Sequence, residues 1–145
     1  MIVDQNLRLT SPAITTASTY YSDAIDLSQA REIGEGEDIY AFTTITTAFT
    51  GGTNVTFDVV VADNAALTTN TTVVASHGTV VTASLTAKAQ FVTRINPVIG
   101  TLGRRYLGIR YTTTGTYSTG VALTDFPHDI QDGKKFYASG FSVAS

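Results

Sequence analysis

Threonine is the commonest residue of this chain, at 26 of its 145 positions, and its abundance limits the possible folds more than any other feature. Because threonine is branched at Cβ and stiff at χ1, it favours pleated strands, and its hydroxyl keeps an outward sheet face hydrated without charge. Only 14% of the residues are charged. The sequence therefore predicts an all-β body with an almost uncharged surface.

Apolar residues alternate with a period of two, as expected for strands that are buried on one face. Within residues 55–62, one face carries Val55, Phe57, Val59 and Val61. The preceding run, 39–49, places a second set on one side: Ile39, Ala41, Thr43, Ile45, Thr47 and Phe49. Gly51 and Gly52 separate the two runs, which predicts a hairpin turn between paired strands.

Further short strands follow at the spacing typical of sandwiches and barrels. They are predicted over 71–77 and 79–85, separated by Gly78, over 91–95, over 105–112 with Leu107, Ile109 and Tyr111 on one face, and over 120–126. The sequence contains no sustained helical stripe, and its one candidate helical turn lies at 27–31. Eight to ten strands favour an antiparallel β-sandwich, first a jelly roll and second an immunoglobulin-like arrangement.

Length and hydrophobic content fit a single domain over residues 1–145. Both ends differ from the middle. Residues 1–20 are expected to form an N-terminal arm and an edge strand, and residues 127–145 a C-terminal tail that carries Phe136, Tyr137 and Phe141 among glycines and lysines. Apolar groups on such termini usually find cover on their own domain or on a neighbour.

Charge and composition exclude several classes of partner and chemistry. The net charge of −3 disfavours binding to nucleic acid, and no window approaches 18 uninterrupted apolar residues, so we expect neither a nucleic-acid nor a membrane partner. The first residues do not resemble a secretory signal. Because cysteine is absent, thiolate catalysis, thiolate metal sites and disulfides are also excluded.

Candidate catalytic groups are sparse. The two histidines, His77 and His128, sit before a glycine and after a proline, where turn or surface positions are the simpler interpretation. The acidic run 35–38 lacks the ligand spacing of a calcium loop and is better explained as a solvated turn. We therefore expect no enzyme activity, no metal and no cofactor.

Two features suit a docking surface instead. Threonine and alanine lose little side-chain entropy when an interface orders them, whereas lysine and glutamate lose about 1.5 to 2 kcal/mol each. The one basic cluster, Arg104, Arg105 and Tyr106, combines residue types that are enriched at protein interfaces. The alternative for these arginines is pairing with acids on their own domain.

Several sequence strings resemble the capsid cement (decoration) proteins of tailed bacteriophages, as in a Bordetella phage. They are Ile2 to Leu9, Ile25 to Tyr40, Asp63 to Leu67 and Arg105 to Tyr111, so the resemblance extends over most of the chain and weakens after Asp125. It implies a jelly-roll subunit on the outer surface of the virion head, made in the bacterial cytoplasm. The implied partners are the major capsid protein and further copies of the same chain near symmetry axes.

The expected contacts with the capsid or between copies come from the arm, the acidic loop and the basic turn. The residues are Ile2, Val3, Gln5, Leu7, Arg8, Arg31, Glu35, Asp38, Arg104, Arg105 and Tyr106. Two alternatives stay open. One is a receptor- or carbohydrate-binding sandwich that uses Tyr20, Tyr21, Tyr117 or Tyr137, and the other is a small hydrolase.

Overall fold

The computed structural model describes residues 7–27, 39–95 and 102–127, and these residues form an antiparallel two-layer sandwich. It contains nine strands: β1 Arg8–Thr10, β2 Thr19–Tyr21, β3 Ile25–Asp26, β4 Ile39–Gly51, β5 Asn54–Ala62, β6 Thr72–Val81, β7 Gln90–Ile95, β8 Tyr106–Thr114 and β9 Tyr117–Asp125. The prediction of an all-β sandwich is thus confirmed.

The strand order is that of a jelly roll. One sheet has four strands in the order β1-β9-β4-β7, and the other has five, with β2-β8-β5-β6 in order and β3 also paired to β8. The successive strands β4 and β5, β6 and β7, and β8 and β9 lie in opposite sheets, so the chain repeatedly crosses the core. The first strand lies beside the last, as in a double Greek key.

The core lies between the two sheets. It is formed by the side chains that point inward from the strands, at every second residue where the alternation is regular. Val55, Phe57, Val59 and Val61 of β5 all belong to it, as the alternation predicts. Leu107, Ile109 and Tyr111 of β8 face them from the neighbouring strand. The Phe57 and Tyr111 rings meet edge to face, with centroids 5.6 Å apart. Each such side chain contributes about 1.5 to 3 kcal/mol through burial.

The turn at Gly51 and Gly52 is not a hairpin, so that prediction is wrong. β4 and β5 lie in different sheets, and the two glycines form an arch between them. Both have positive φ, and a Cβ on Gly52 would lie 2.3 Å from the ring of Tyr117. Paired glycines between alternating runs require a sharp turn, but they do not determine whether the turn stays within one sheet.

Two further sequence predictions fail because strands contain irregularities. Gly78 does not divide two strands; at φ 87° it lies within the continuous strand β6, where the register against β5 shifts. Thr47 is exposed, although alternation places it on the inward face, because the register of β4 against β9 shifts between Ile45 and Thr47. An extra residue in a strand reverses which sequence positions face the core and which face solvent beyond that point.

A second apolar cluster lies on the outer face of the five-stranded sheet. The loop 63–71 folds back over β5 and β8 and places Leu67 on Val60 and Ala62, where it is fully buried. A Cβ on Gly108 would lie 2.2 Å from Leu67 Cδ1, so the glycine leaves the space that the leucine fills. Asn64 Oδ1 accepts hydrogen bonds from the backbone N–H groups of Thr68 and Thr69 and fixes the loop.

Residues near the start of the chain pair along sheet edges. Arg8–Thr10 pairs with β9, and Thr19–Tyr21 pairs with β8, so this part of 1–20 forms edge strands. Most of the candidate turn at 27–31 and of the tail at 127–145 lies outside the described residues. The described residues contain no helix of the length and hydrophobicity that crossing a membrane requires.

Candidate contact surfaces

The basic cluster of the sequence lies at the start of β8, whose first residue is Tyr106, and its arginines are held by carboxylates of their own domain. Arg104 Nη1 donates hydrogen bonds to both oxygens of Asp63 at 2.9 Å. Arg105 binds Asp26 in a two-pronged contact, with Nε and Nη2 each 2.8 Å from an oxygen. The Arg105 guanidinium carbon also lies 5.2 Å from the centre of the Tyr106 ring. The alternative of pairing within the domain is therefore what the structure shows for both arginines.

One member of each pair has a shifted pKa. The hydrogen bond from the Asn70 side chain, followed by the contact with Arg104, lowers the pKa of Asp63. The hydrogen bonds and charge of Asp26 raise the pKa of Arg105. The Asp63 carboxylate consequently stays ionised, and each arginine of the cluster lies against an aspartate of its own domain. A partner would contact the exposed edges of the guanidinium groups and the Tyr106 ring, and the positive charges there are already paired with carboxylates.

Arg8, the other described cation of the expected contact set, lies on the four-stranded sheet. Its Nε donates to Asp125 Oδ1 across β1 and β9 at 2.9 Å. The Asp125 side chain is only 4% exposed, whereas that of Arg8 is 43% exposed. Leu7, its neighbour, is half-buried and packs against the core. Arg8 thus neutralises a buried carboxylate and leaves part of its guanidinium available at the surface.

Of the expected contact residues, the structure describes Leu7, Arg8, Arg104, Arg105 and Tyr106. β8 begins and β9 ends at the same end of the sandwich, so Arg8 and the Arg104–Tyr106 turn share that end but lie on different sheets. We call it the ion-paired end. The remaining expected residues lie outside the described part of the chain: Ile2, Val3, Gln5, Arg31, Glu35 and Asp38.

The opposite half of the five-stranded sheet carries a surface that sequence reasoning did not locate. Its outer side has two rows of uncharged residues across neighbouring strands, Thr19–Thr112–Thr56–Thr79 and Thr114–Asn54–Val81. We call these seven residues the threonine face. Period-two alternation places each threonine outward on its own strand, but only the register between strands aligns them into rows.

Other chemical groups of the described residues are engaged in structural contacts. The exposed His77 bridges the edges of the two sheets, with Nδ1 3.3 Å from the Val92 carbonyl oxygen and its ring 5.0 Å from that of Phe91. Tyr117 is buried in the core, and Tyr20 uses its hydroxyl to hold the 15–16 turn. Within the described ranges no three His, Cys, Asp or Glu side chains are close enough to hold a metal ion.

Fold and surface together define the class of protein: an antiparallel jelly-roll sandwich that has an ion-paired end and an uncharged threonine face. The family model Bbp16 matches residues 9–124, so the chain belongs to the Bbp16 family, a Bordetella phage protein family. Membership in a phage-derived family points to a virion protein. A search of curated proteins found no match.

Proposed function

We propose that this protein is a capsid cement protein, which binds the outside of the phage head and clamps neighbouring major capsid subunits. The observation that carries the proposal is the match of a phage-derived family over residues 9–124. A jelly roll in which Arg8, Arg104, Arg105 and Arg110 are each paired with an aspartate supports a structural role without catalysis or cofactor. Its partners in this role are the major capsid protein and other copies of itself.

The mechanism is reinforcement through several contacts at once. When one contact is made, the next becomes intramolecular, and avidity rises by about 10²- to 10⁴-fold. We assign the shell contacts to the segment before β1, the acidic run at residues 31–38 and the Arg104–Tyr106 turn. The turn is held in place by the bonds of Arg104 and Arg105 to carboxylates, so it would bind without losing much conformational freedom.

The proposal is tested with phage heads that lack this protein. The purified protein should sediment with such heads and raise the temperature at which they release DNA. Unchanged heat resistance of heads that carry the protein would overturn the cementing role, and failure to sediment would overturn capsid binding.

The contribution of the arm is tested by removing residues 1–6 only. This truncation spares Leu9, which is buried in the core, and β1, which pairs with β9. Loss of head binding with an unchanged melting temperature would support the arm as a contact. Binding at the wild-type level would withdraw that assignment. Arg105→Ala tests the turn in the same assay, since its pair with Asp26 is exposed and contributes little to folding.

A further inference from the structure

A row of three polar side chains crosses the outer side of the five-stranded sheet beside the threonine face. The strand registers place Tyr21, Arg110 and Asp58 next to one another on β2, β8 and β5. Period-two alternation along each strand keeps all three on the side away from the core. We call these residues the Tyr21 row. The row lies between the threonine face and the apolar cluster around Leu67.

Asp58 is deeply set for a carboxylate that points away from the core. The residue is 6% exposed and its side chain 9%. Arg110 donates two hydrogen bonds to it, from Nε at 3.3 Å and from Nη2 at 2.7 Å, and both go to Oδ2. Within the described ranges Oδ1 accepts no hydrogen bond, and it is not closed off from solvent. A hydroxyl that donates to this oxygen would form a charge-assisted bond with a group that has lost most of its water.

The neighbouring groups add donors, acceptors and apolar surface. Nη1 of Arg110 takes no part in the bonds to Asp58, and the Arg110 side chain is 29% exposed. Thr56 and Thr112 follow on the same two strands, and their hydroxyls both donate and accept hydrogen bonds. Tyr21 is half-buried, because its side chain packs against the second apolar cluster, and the remainder of it faces solvent.

This combination of groups fits a neutral ligand that carries several hydroxyls. An ion at the row meets one attractive and one repulsive charge, so neither cations nor anions are strongly favoured. Adjacent hydroxyls of a sugar suit both charges, since one can donate to Asp58 Oδ1 while the next accepts from Arg110 Nη1. The apolar face of a pyranose ring can lie against the Tyr21 ring. The ion pair and the stiff threonines are already ordered, so binding loses little side-chain entropy.

We propose that the Tyr21 row is a binding site for a neutral hexopyranose. The proposal goes beyond the capsid role and does not depend on it. Of the tyrosines considered for carbohydrate binding, Tyr117 is buried in the core and Tyr20 uses its hydroxyl to hold the 15–16 turn. An open site of this kind should bind one sugar with a Kd on the order of 1 to 10 mM. Many copies on one head would bind a glycan-bearing surface more tightly through avidity.

Titrations followed by ¹H–¹⁵N NMR test the site on the full chain. The probes are the methyl α-glycosides of glucose, mannose and galactose, each added to about 50 mM. At least one should shift the amides of Tyr21, Asp58 and Arg110 to saturation and leave those of the ion-paired end unchanged. Glycerol at the same hydroxyl concentration should give no saturable shift. No binding of any of the three glycosides, saturation at another surface, or equal shifts with glycerol would overturn the proposal.

Matched substitutions test the assigned residues. Tyr21→Leu keeps an apolar side chain against the second cluster but removes the ring, and it should weaken binding at least about tenfold. Tyr20→Phe, on the opposite face of the same strand, should leave the Kd unchanged. Asp58→Asn should also weaken binding about tenfold, whereas Asp63→Asn disturbs an arginine pair outside the row and should have no effect. Equal Kd values for Tyr21→Leu and Tyr20→Phe would contradict the proposal, even if Asp58→Asn proved too unstable to measure.

Sedimentation with heads separates this site from the capsid role. Tyr21→Leu should bind heads as well as the wild type, because its row lies outside the assigned shell contacts. A protein that binds heads but none of the glycosides overturns only the sugar site. One that binds a glycoside at the Tyr21 row but does not bind heads overturns only the capsid assignment.

Discussion

Replacing Tyr111 with phenylalanine should stabilise this protein, although it removes a polar group from a fully buried side chain. Tyr111 lies in the core on β8, and its hydroxyl has no hydrogen-bond partner among the described residues. The nearby Thr124 hydroxyl is bound to that of Thr43 at 2.9 Å. A buried polar group without a partner costs about 1 to 3 kcal/mol. Allowing for the packing lost with one oxygen, we expect a gain of about 1 kcal/mol in unfolding free energy.

Tyr117 provides the matched control. It is also buried on an inward-facing position, but its hydroxyl lies 2.9 Å from Thr82 Oγ1. Tyr117→Phe removes the same atom together with a hydrogen bond and should cost about 0.5 to 1.5 kcal/mol. The two substitutions should thus have opposite signs in urea unfolding at pH 7.

Alkaline pH gives an independent measurement of the same burial. Desolvation raises the pKa of Tyr111 well above its ordinary value of 10.0. A tyrosine with a raised folded-state pKa contributes stability that is fully present below pH 10 and declines above it, because the hydroxyl ionises only in the unfolded chain. Between pH 9 and 11 the advantage of Tyr111→Phe over wild type should grow by about 1.4 kcal/mol.

The urea and pH series together can refute this reasoning. If Tyr111→Phe destabilised the protein by more than about 1 kcal/mol at pH 7, the hydroxyl must have a strong partner in the folded state. If the difference between variant and wild type were the same at pH 9 and pH 11, Tyr111 would not be protected from ionisation. Either result would contradict the view that this group is buried at a cost.

Three further substitutions test other parts of the fold by unfolding measurements. Gly108→Ala should displace Leu67 and lower the unfolding free energy by about 1 to 3 kcal/mol. In a protein that already carries Leu67→Ala, the same substitution should cost less. Additive costs of the two substitutions would contradict their contact. Gly52→Ala should lower the unfolding free energy by at least about 2 kcal/mol, because the new Cβ meets the Tyr117 ring. Gly103 also has a positive φ, of 63°, but open space around it, so Gly103→Ala should cost about 1 kcal/mol. Equal costs would contradict the packing of Gly52 against Tyr117. Arg8→Ala should lower the unfolding free energy by about 1 to 3 kcal/mol, because it leaves the buried Asp125 carboxylate without its cation. Arg105→Ala removes an exposed ion pair and should leave the melting temperature unchanged. A larger effect of Arg105→Ala than of Arg8→Ala would contradict the difference in burial between the two pairs.

The sequence predicts the fold class because the core positions of β5 and β8 depend only on local alternation. Val55 to Val61 and Leu107 to Tyr111 each alternate without interruption, and every inward residue is in the core. The prediction fails where the pairing of distant strands decides the outcome. Thr47 is displaced by an irregularity against β9, and Gly51 connects two sheets, and neither pairing is visible in local periodicity.

The contact surfaces show the same limit: residue types are visible in the sequence, but the pairing of distant residues is not. Arg104 and Arg105 are recognisable from residue type, but their partners Asp63 and Asp26 are distant in sequence, so their pairing could be posed only as an alternative. The threonine face needs still more information. Thr19, Thr56, Thr79 and Thr112 come from four strands, and only the register of three strand pairs aligns them.

Two of the strings that carry the family resemblance turn out to be the two sides of one contact. Asp63 to Leu67 supplies the fixed loop with its buried leucine, and Arg105 to Tyr111 supplies Gly108, which receives that leucine. The Asp63–Arg104 ion pair, at 2.9 Å, ties the start of the loop to the turn before β8. The loop therefore braces the turn that we propose as a shell contact, and the distinctive residues of these two strings hold that turn in place.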